Sequence, residues 1–199
     1  MVSVDIQGNV RTEVGKKGSS SDRKNGLIPA VLYGGENVKH FTVTPAAVKT
    51  LVYTPDFKLA VINIGGDTHR AILKQVQFHP VTDQIIHIDF LRLIDKTPIK
   101  VEIPLRFKGT SPGVKLGGKL IQQVRKVKVK TTPESLVHEL YADISGLDLG
   151  QSLRVKDIIV PKGIEVVNNA STPVALIEIP RALKAAAAAE AKLDKGKKK

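Results

Sequence analysis

The chain has 199 residues, no cysteine and a formal net charge of +12. These totals exclude a disulfide framework, a thiolate zinc site and a cysteine nucleophile, and they favour partners such as nucleic acid or acidic membrane. Hydrophobic residues make up 42% but aromatics only 4%, so the core must be built from Val, Ile and Leu.

The opening MVSVDIQGN has no basic stretch followed by an apolar one, so no secretory signal is expected. No segment approaches the apolar run needed to span a bilayer, and the absence of cysteine fits a reducing cytosol. Two apolar segments, VSVDI and LIPAVLYG, flank residues 11–26, RTEVGKKGSSSDRKNG. This stretch is rich in Gly and Ser and carries five Lys and Arg against two acids. It reads as a long, flexible, basic insertion, whose leading use is to bind a polyanion. Residues 1–94 hold 11 Lys and Arg against 8 Asp and Glu, so outside the insertion this region is neutral.

Past the insertion the dominant hydrophobic period is two. LAVINI, IIHIDFLRLI, IKVEIPLRF, VRKVKVK and VALIEI read as strands, punctuated by Gly34-Gly35, Gly65-Gly66, His79-Pro80, Ser111-Pro112-Gly113 and Gly117-Gly118. One short helix is expected after Thr44, with Thr44 as N-cap and Pro45 at the first helical position. LRVKDIIV suggests a second short turn. A boundary is expected near Asp95-Lys96-Thr97-Pro98. The fold class is therefore mainly β: an N-terminal β-barrel with a short helix (1–94) and a second, mostly β domain (95–180). An Ala- and Lys-rich tail (181–199) follows, read as a frayed helix ending in a disordered lysine cluster.

Several constellations could carry chemistry. On IIHIDFLRLI, alternation puts Ile86, Ile88 and Phe90 on one face and His87 and Asp89 on the other, about 7 Å apart along the strand. They form either a solvated strand face or a hydrogen-bonding pair for a ligand such as base edges or ribose hydroxyls. A triad with Ser19, Ser20 or Ser21 lacks a G-x-S-x-G elbow and a visible oxyanion hole. A metal site from His40, His69, His79, His87 and Asp89 matches no known ligand spacing. GVKLGGK at 113–119 fits the first seven positions of a P-loop, but Leu120 replaces the magnesium-binding hydroxyl and a strand pattern follows, so a Gly-rich β loop is expected instead. No cofactor, metal or small-molecule substrate is indicated. In VRKVKVK, Lys126, Lys128 and Lys130 form a row that either blunts an edge strand or tracks a phosphate backbone. Tyr33 ends an apolar strand beside the basic insertion, where it either caps the barrel or meets a nucleotide.

R-x-x-x-G-K-K, then R-x-x-G-x-I-P-A-V-L-Y-G, Q-x-H-P and H-I-D-F together carry a resemblance. They comprise Arg11, Gly15, Lys16, Lys17, Arg23, Gly26, Ile28, Pro29, Tyr33, Gly34, Gln77, His79, Pro80, His87, Asp89 and Phe90. The pattern resembles the family of the bacterial large-subunit ribosomal protein numbered twenty-five, the CTC general-stress family with its longer two-domain members. It continues through P-x-x-F-K-G-T-S-P-G-V-K-L-G-G and DISGLDLGQSLRVKDI. The resemblance implies a non-enzymatic, structural constituent of the ribosome whose barrel binds 5S rRNA in the central protuberance. Carried over by position, Arg11, Lys16, Lys17, Ser19, Arg23, Tyr33, Gln77, His79, His87 and Asp89 would line the RNA surface. Lys16, Lys17 and Arg23 would grip phosphates, while Tyr33, His87 and Asp89 would read a minor-groove surface. Neighbouring large-subunit proteins and 23S rRNA are further candidate partners for the second domain and tail. One departure is GSSSD between Lys17 and Arg23, where many relatives carry more basic residues. The alternative function is a general RNA-binding, stress-associated protein acting off the ribosome.

Overall fold

Alternating branched residues close on themselves in the first part of the chain. The computed structural model describes residues 2–35 and 37–181. Six strands form a closed barrel: β1 (Ser3–Val10), β2 (Ile28–Tyr33), β3 (Lys39–Val43), β4 (Leu59–Ile64), β5 (Asp67–Phe78) and β6 (Ile85–Arg92), in the spatial order β1-β3-β2-β6-β5-β4. Closure removes the unpaired edges that invite aggregation. β1 runs parallel to β4 and β2 parallel to β6, while the other pairings are antiparallel. The inward set includes Ile6, Ile28, Ala30, Leu32, Phe41, Ile62, Ile88 and Phe90. With so few aromatics, the barrel is filled by branched aliphatics around one ring pair, Phe41 and Phe90, whose centroids lie 5.9 Å apart. Gly8 makes room for that pair, because a Cβ there would sit 2.5 Å from the Phe41 ring.

Two helices serve the barrel. Helix α1 (Lys16–Lys24) joins β1 to β2, and α2 (Pro45–Val52) joins β3 to β4. The second matches the expected helix: Pro45 opens it, and Val48 and Leu51 enter the core. Thr44 occupies the N-cap position, but its side chain makes no capping bond. The first helix corrects the expectation of a flexible insertion. Gly and Ser composition suggested no fixed structure, yet nine residues of the segment are helical, and Arg11 contacts Ser19 and Asp22 on the helix.

The chain divides into two compact units, one comprising 1–101 with 130–138 and the other 102–129 with 139 onward. Beyond the barrel lie a five-stranded sheet in the order β12-β10-β7-β9-β13 and a three-stranded sheet in the order β11-β14-β8. Their strands are β7 (Ile99–Lys108), β8 (Lys119–Gln122), β9 (Lys126–Thr131), β10 (Leu140–Asp143), β11 (Ser152–Arg154), β12 (Ile158–Ile159), β13 (Ile164–Val166) and β14 (Pro173–Glu178). Ile103, Leu105, Val127, Val129, Leu140 and Ile177 are among the buried residues of the second unit. As the fold class anticipated, this part is mostly β. A 3-10 turn at Val155–Asp157 answers to the turn expected in LRVKDIIV. Val127 and Val129 point inward and Lys126 and Lys128 outward, as alternation required. However, β9 lies between β7 and β13, so its lysines do not guard an edge. The Gly-rich 113–119 segment starts with a one-turn helix, α3 (Pro112–Lys115), rather than as a pure loop. Lys119 then opens strand β8, the wrong element for a phosphate-binding loop. The tail expectation for 182–199 lies outside the described residues.

Candidate nucleic-acid interface

The outer face of β2, β6 and β5 gathers the polar residues singled out by sequence. Register sets them side by side: Val31 opposite Asp89 and Tyr33 opposite Leu91 on one side, Gln75 opposite Asp89 and Gln77 opposite His87 on the other. Because Ile88 and Phe90 point inward, their neighbours His87 and Asp89 must face out. The pair does more than share a face: His87 Nδ1 lies 2.7 Å from Asp89 Oδ1. Both side chains are a little over a quarter exposed, so they are half-buried rather than fully solvated. An Nδ1–H of His87 donated to Asp89 would fix the ring and leave Nε2 to meet a ligand. The other oxygen of Asp89 can accept from an amino, imino or ribose hydroxyl group.

Tyr33 ends β2 on this face. Burial, and then the negative charge of Asp89, push its phenol above the usual tyrosine range, so it remains a neutral hydroxyl. Gly34 follows with φ 96, and a Cβ there would lie 2.7 Å from Leu91, so the close turn needs glycine. His79 sits at the β5–β6 turn, where its Nδ1 accepts from Val81 N and Thr82 N, each at 3.3 Å. That ring shapes the turn with one nitrogen.

Helix α1 supplies the charge. Lys16, Lys17 and Arg23 are exposed. Its first turn holds no acidic residue, and its last turn carries Arg23 and Lys24. Arg23 reaches β6 through a long 3.5 Å contact from Nη1 to Ile86 O, which ties the helix to the strand of the His87–Asp89 pair. Arg11 is different: its side chain is only 6% exposed and is engaged internally, with Nε 2.8 Å from Asp22 Oδ2 and Nη2 donating to Ser19 Oγ at 3.1 Å. Ser19, a serine of the triad reading, is therefore bonded to Arg11.

The remaining histidines of the metal reading are dispersed, and no group of three metal-capable side chains occurs among the described residues. His69 is buried on β5 and lines a cleft of about 890 Å³ with Lys39, Asp67, Arg92 and Asp95, apart from the paired face. Sequence reasoning missed Gln75 and Asp22. The i, i+2 spacing of Gln75 and Gln77 was a usable signal. Asp22 was legible only once residues 16–24 were known to be helical, because helical spacing is what turns Ser19 and Asp22 to one side.

Comparison with known proteins adds two family matches. Residues 6–90 match the Ribosomal L25p family, and residues 98–181 match the C-terminal domain of ribosomal protein TL5. The chain is 42% identical over 192 residues to "Large ribosomal subunit protein bL25" of Cytophaga hutchinsonii, covering 96% of this chain and 100% of that one. It is 40% identical over 199 residues to the protein of the same name from Amoebophilus asiaticus, covering 100% of both. The Phocaeicola vulgatus protein of that name is 40% identical, with 96% of this chain covered.

Proposed function

This chain belongs to the bL25 family of large ribosomal subunit proteins, and we propose that its barrel domain, residues 1–94, binds 5S rRNA in the central protuberance. It is a structural, non-enzymatic constituent of the large subunit and is ribosome-associated. The observation that carries the RNA reading is the His87–Asp89 pair beside a basic helix. A carboxylate is repelled by phosphate, so it helps an RNA-binding surface only where it accepts from a base or a 2′-hydroxyl. The wide, shallow minor groove of an RNA helix presents such groups to a β-sheet face, whereas its major groove is too narrow to read.

The labour divides accordingly. Lys16, Lys17 and Arg23 hold phosphates and supply affinity without selectivity. Tyr33, Gln77, His87 and Asp89 face base edges and ribose, and His79 keeps the β5–β6 turn in shape beside them. Arg11 lies beneath the helix, bonded to Ser19 on its inward face, and fixes its position. The second domain, residues 95–180, together with the tail, reaches 23S rRNA or neighbouring large-subunit proteins in the cytoplasm. The exposed Lys126 and Lys128 support that reading.

Binding of the intact protein to 5S rRNA and to an unrelated RNA duplex of similar length, at several salt concentrations, tests the proposal. A discrete 5S complex that survives competition by the duplex supports it. Equal affinity for both RNAs would leave only non-specific polyanion binding.

A further inference from the structure

Helix α1 buries no apolar side chain. Its inward positions are Gly18, Ser19 and Asp22, and the nearby Val14 is exposed. Its composition is poor for a helix, with one Gly, three Ser and one Asp in nine residues. A helix this short is not stable alone in water. No side chain caps its N-terminus, where Gly15 sits at φ 102. Something other than hydrophobic docking or intrinsic propensity must hold it.

The holding residue comes from outside the helix. Arg11 follows directly on β1, and its backbone N donates to His40 O at 3.1 Å, which fixes it to β3. From that anchor its guanidinium reaches up to Ser19 and Asp22, which lie three positions apart on one helical face. Gly18 lets that face close down: a Cβ there would lie 2.7 Å from Glu13 O. The other tie, from Arg23 to Ile86 O, is long and exposed.

We infer that Arg11, Ser19 and Asp22 form a polar latch that positions helix α1, so that Asp22, an acid within a basic segment, raises RNA affinity rather than lowering it. The inference rests on the reading of α1 as an RNA contact. It reverses a simple electrostatic expectation. Asp22 stands among Lys16, Lys17, Arg23 and Lys24, so by net charge alone its loss would strengthen the pull on phosphate. By the latch, its loss leaves Arg11 without its carboxylate partner, frees the helix and scatters the three cations that phosphates must meet together. Asp22 is thus a positioning residue and needs no contact with RNA.

The test uses the full chain, with Asp22→Asn and Asp22→Glu. The latch predicts that Asp22→Asn weakens 5S rRNA binding roughly tenfold. It also predicts a dependence of affinity on salt that is shallower by about one phosphate contact or more. Asp22→Glu, which keeps the carboxylate, stays much closer to wild type. The melting temperature of the barrel falls less than in Leu51→Ala, because α1 buries no apolar side chain in the core. In the free protein, hydrogen exchange at the α1 amides accelerates in Asp22→Asn and little in Asp22→Glu. Tighter or unaltered RNA binding by Asp22→Asn, or unaltered exchange, would overturn the latch. If the wild type itself shows no preference for 5S rRNA, the RNA reading fails, and the exchange measurement alone decides the latch.

Discussion

Helices α1 and α2 are nearly equal in length and attach to the same barrel by opposite means. In α2, Val48 and Leu51 enter the core beside Ile6 and Phe41. In α1 the inward residues are Gly18, Ser19 and Asp22, and the outward ones are mostly charged. Burial of apolar surface is where most folding free energy arises, whereas a polar attachment contributes little net stability. The difference separates two jobs. Helix α2 belongs to the fold, and α1 is a surface device carried by it. Damage to the first should therefore appear as lost stability, and damage to the second as lost binding.

The largest effect should come from the apolar helix. Leu51→Ala is expected to cost about 2–4 kcal/mol of unfolding free energy, because it leaves a cavity in a closed core. Denaturant unfolding measures it, and a cost near zero would break the comparison. Next comes the strand face that α1 borders. Asp89→Asn keeps size and removes the charge that holds His87 and accepts from RNA, so it should cost about 1–3 kcal/mol of 5S rRNA binding. The loss on an unrelated duplex should be smaller, and equal losses would remove Asp89 from selective contact. Lys16→Ala should act on α1 alone, lowering the slope of log affinity against log salt by about 0.7–0.9 with unfolding unchanged. An unaltered slope would take Lys16 off the phosphate backbone.

The smallest expected effect concerns pH. Burial, followed by the charges of Lys39 and Arg92, holds His69 below the usual histidine range. The folded state therefore binds fewer protons than the unfolded chain, in which histidine titrates at about 6.5. The resulting stability is present above about pH 6.5 and is lost as pH falls through the folded value. Melting temperature should decline across that window in the wild type and less steeply in His69→Gln. Parallel declines would assign the acid sensitivity to other groups.

Much of the barrel was legible from alternation. Ile88 and Phe90 inward and His87 and Asp89 outward follow from a period of two, which is a local rule. The helix after Thr44 was legible from Pro45 and its apolar spacing, although the Thr44 side chain does not cap it. Helix α1 was not legible as a helix. Its order depends on Arg11, a residue outside the helix, and on a contact that exists only once β1 and β3 have paired. The same holds for the position of β9 inside its sheet, because strand order is set by long-range pairing. The site was readable residue by residue, but the direct His87–Asp89 contact and the register of Gln75 against Asp89 required the fold.

The central claim is that the barrel face with α1 meets 5S rRNA. Ultraviolet crosslinking of the intact protein within large subunits, with both the peptide and the RNA of each adduct identified, tests it most directly. The account predicts adducts to 5S rRNA from residues 16–33 and 75–89. Adducts to 5S rRNA confined to residues beyond 95, with the barrel face unlabelled, would contradict it.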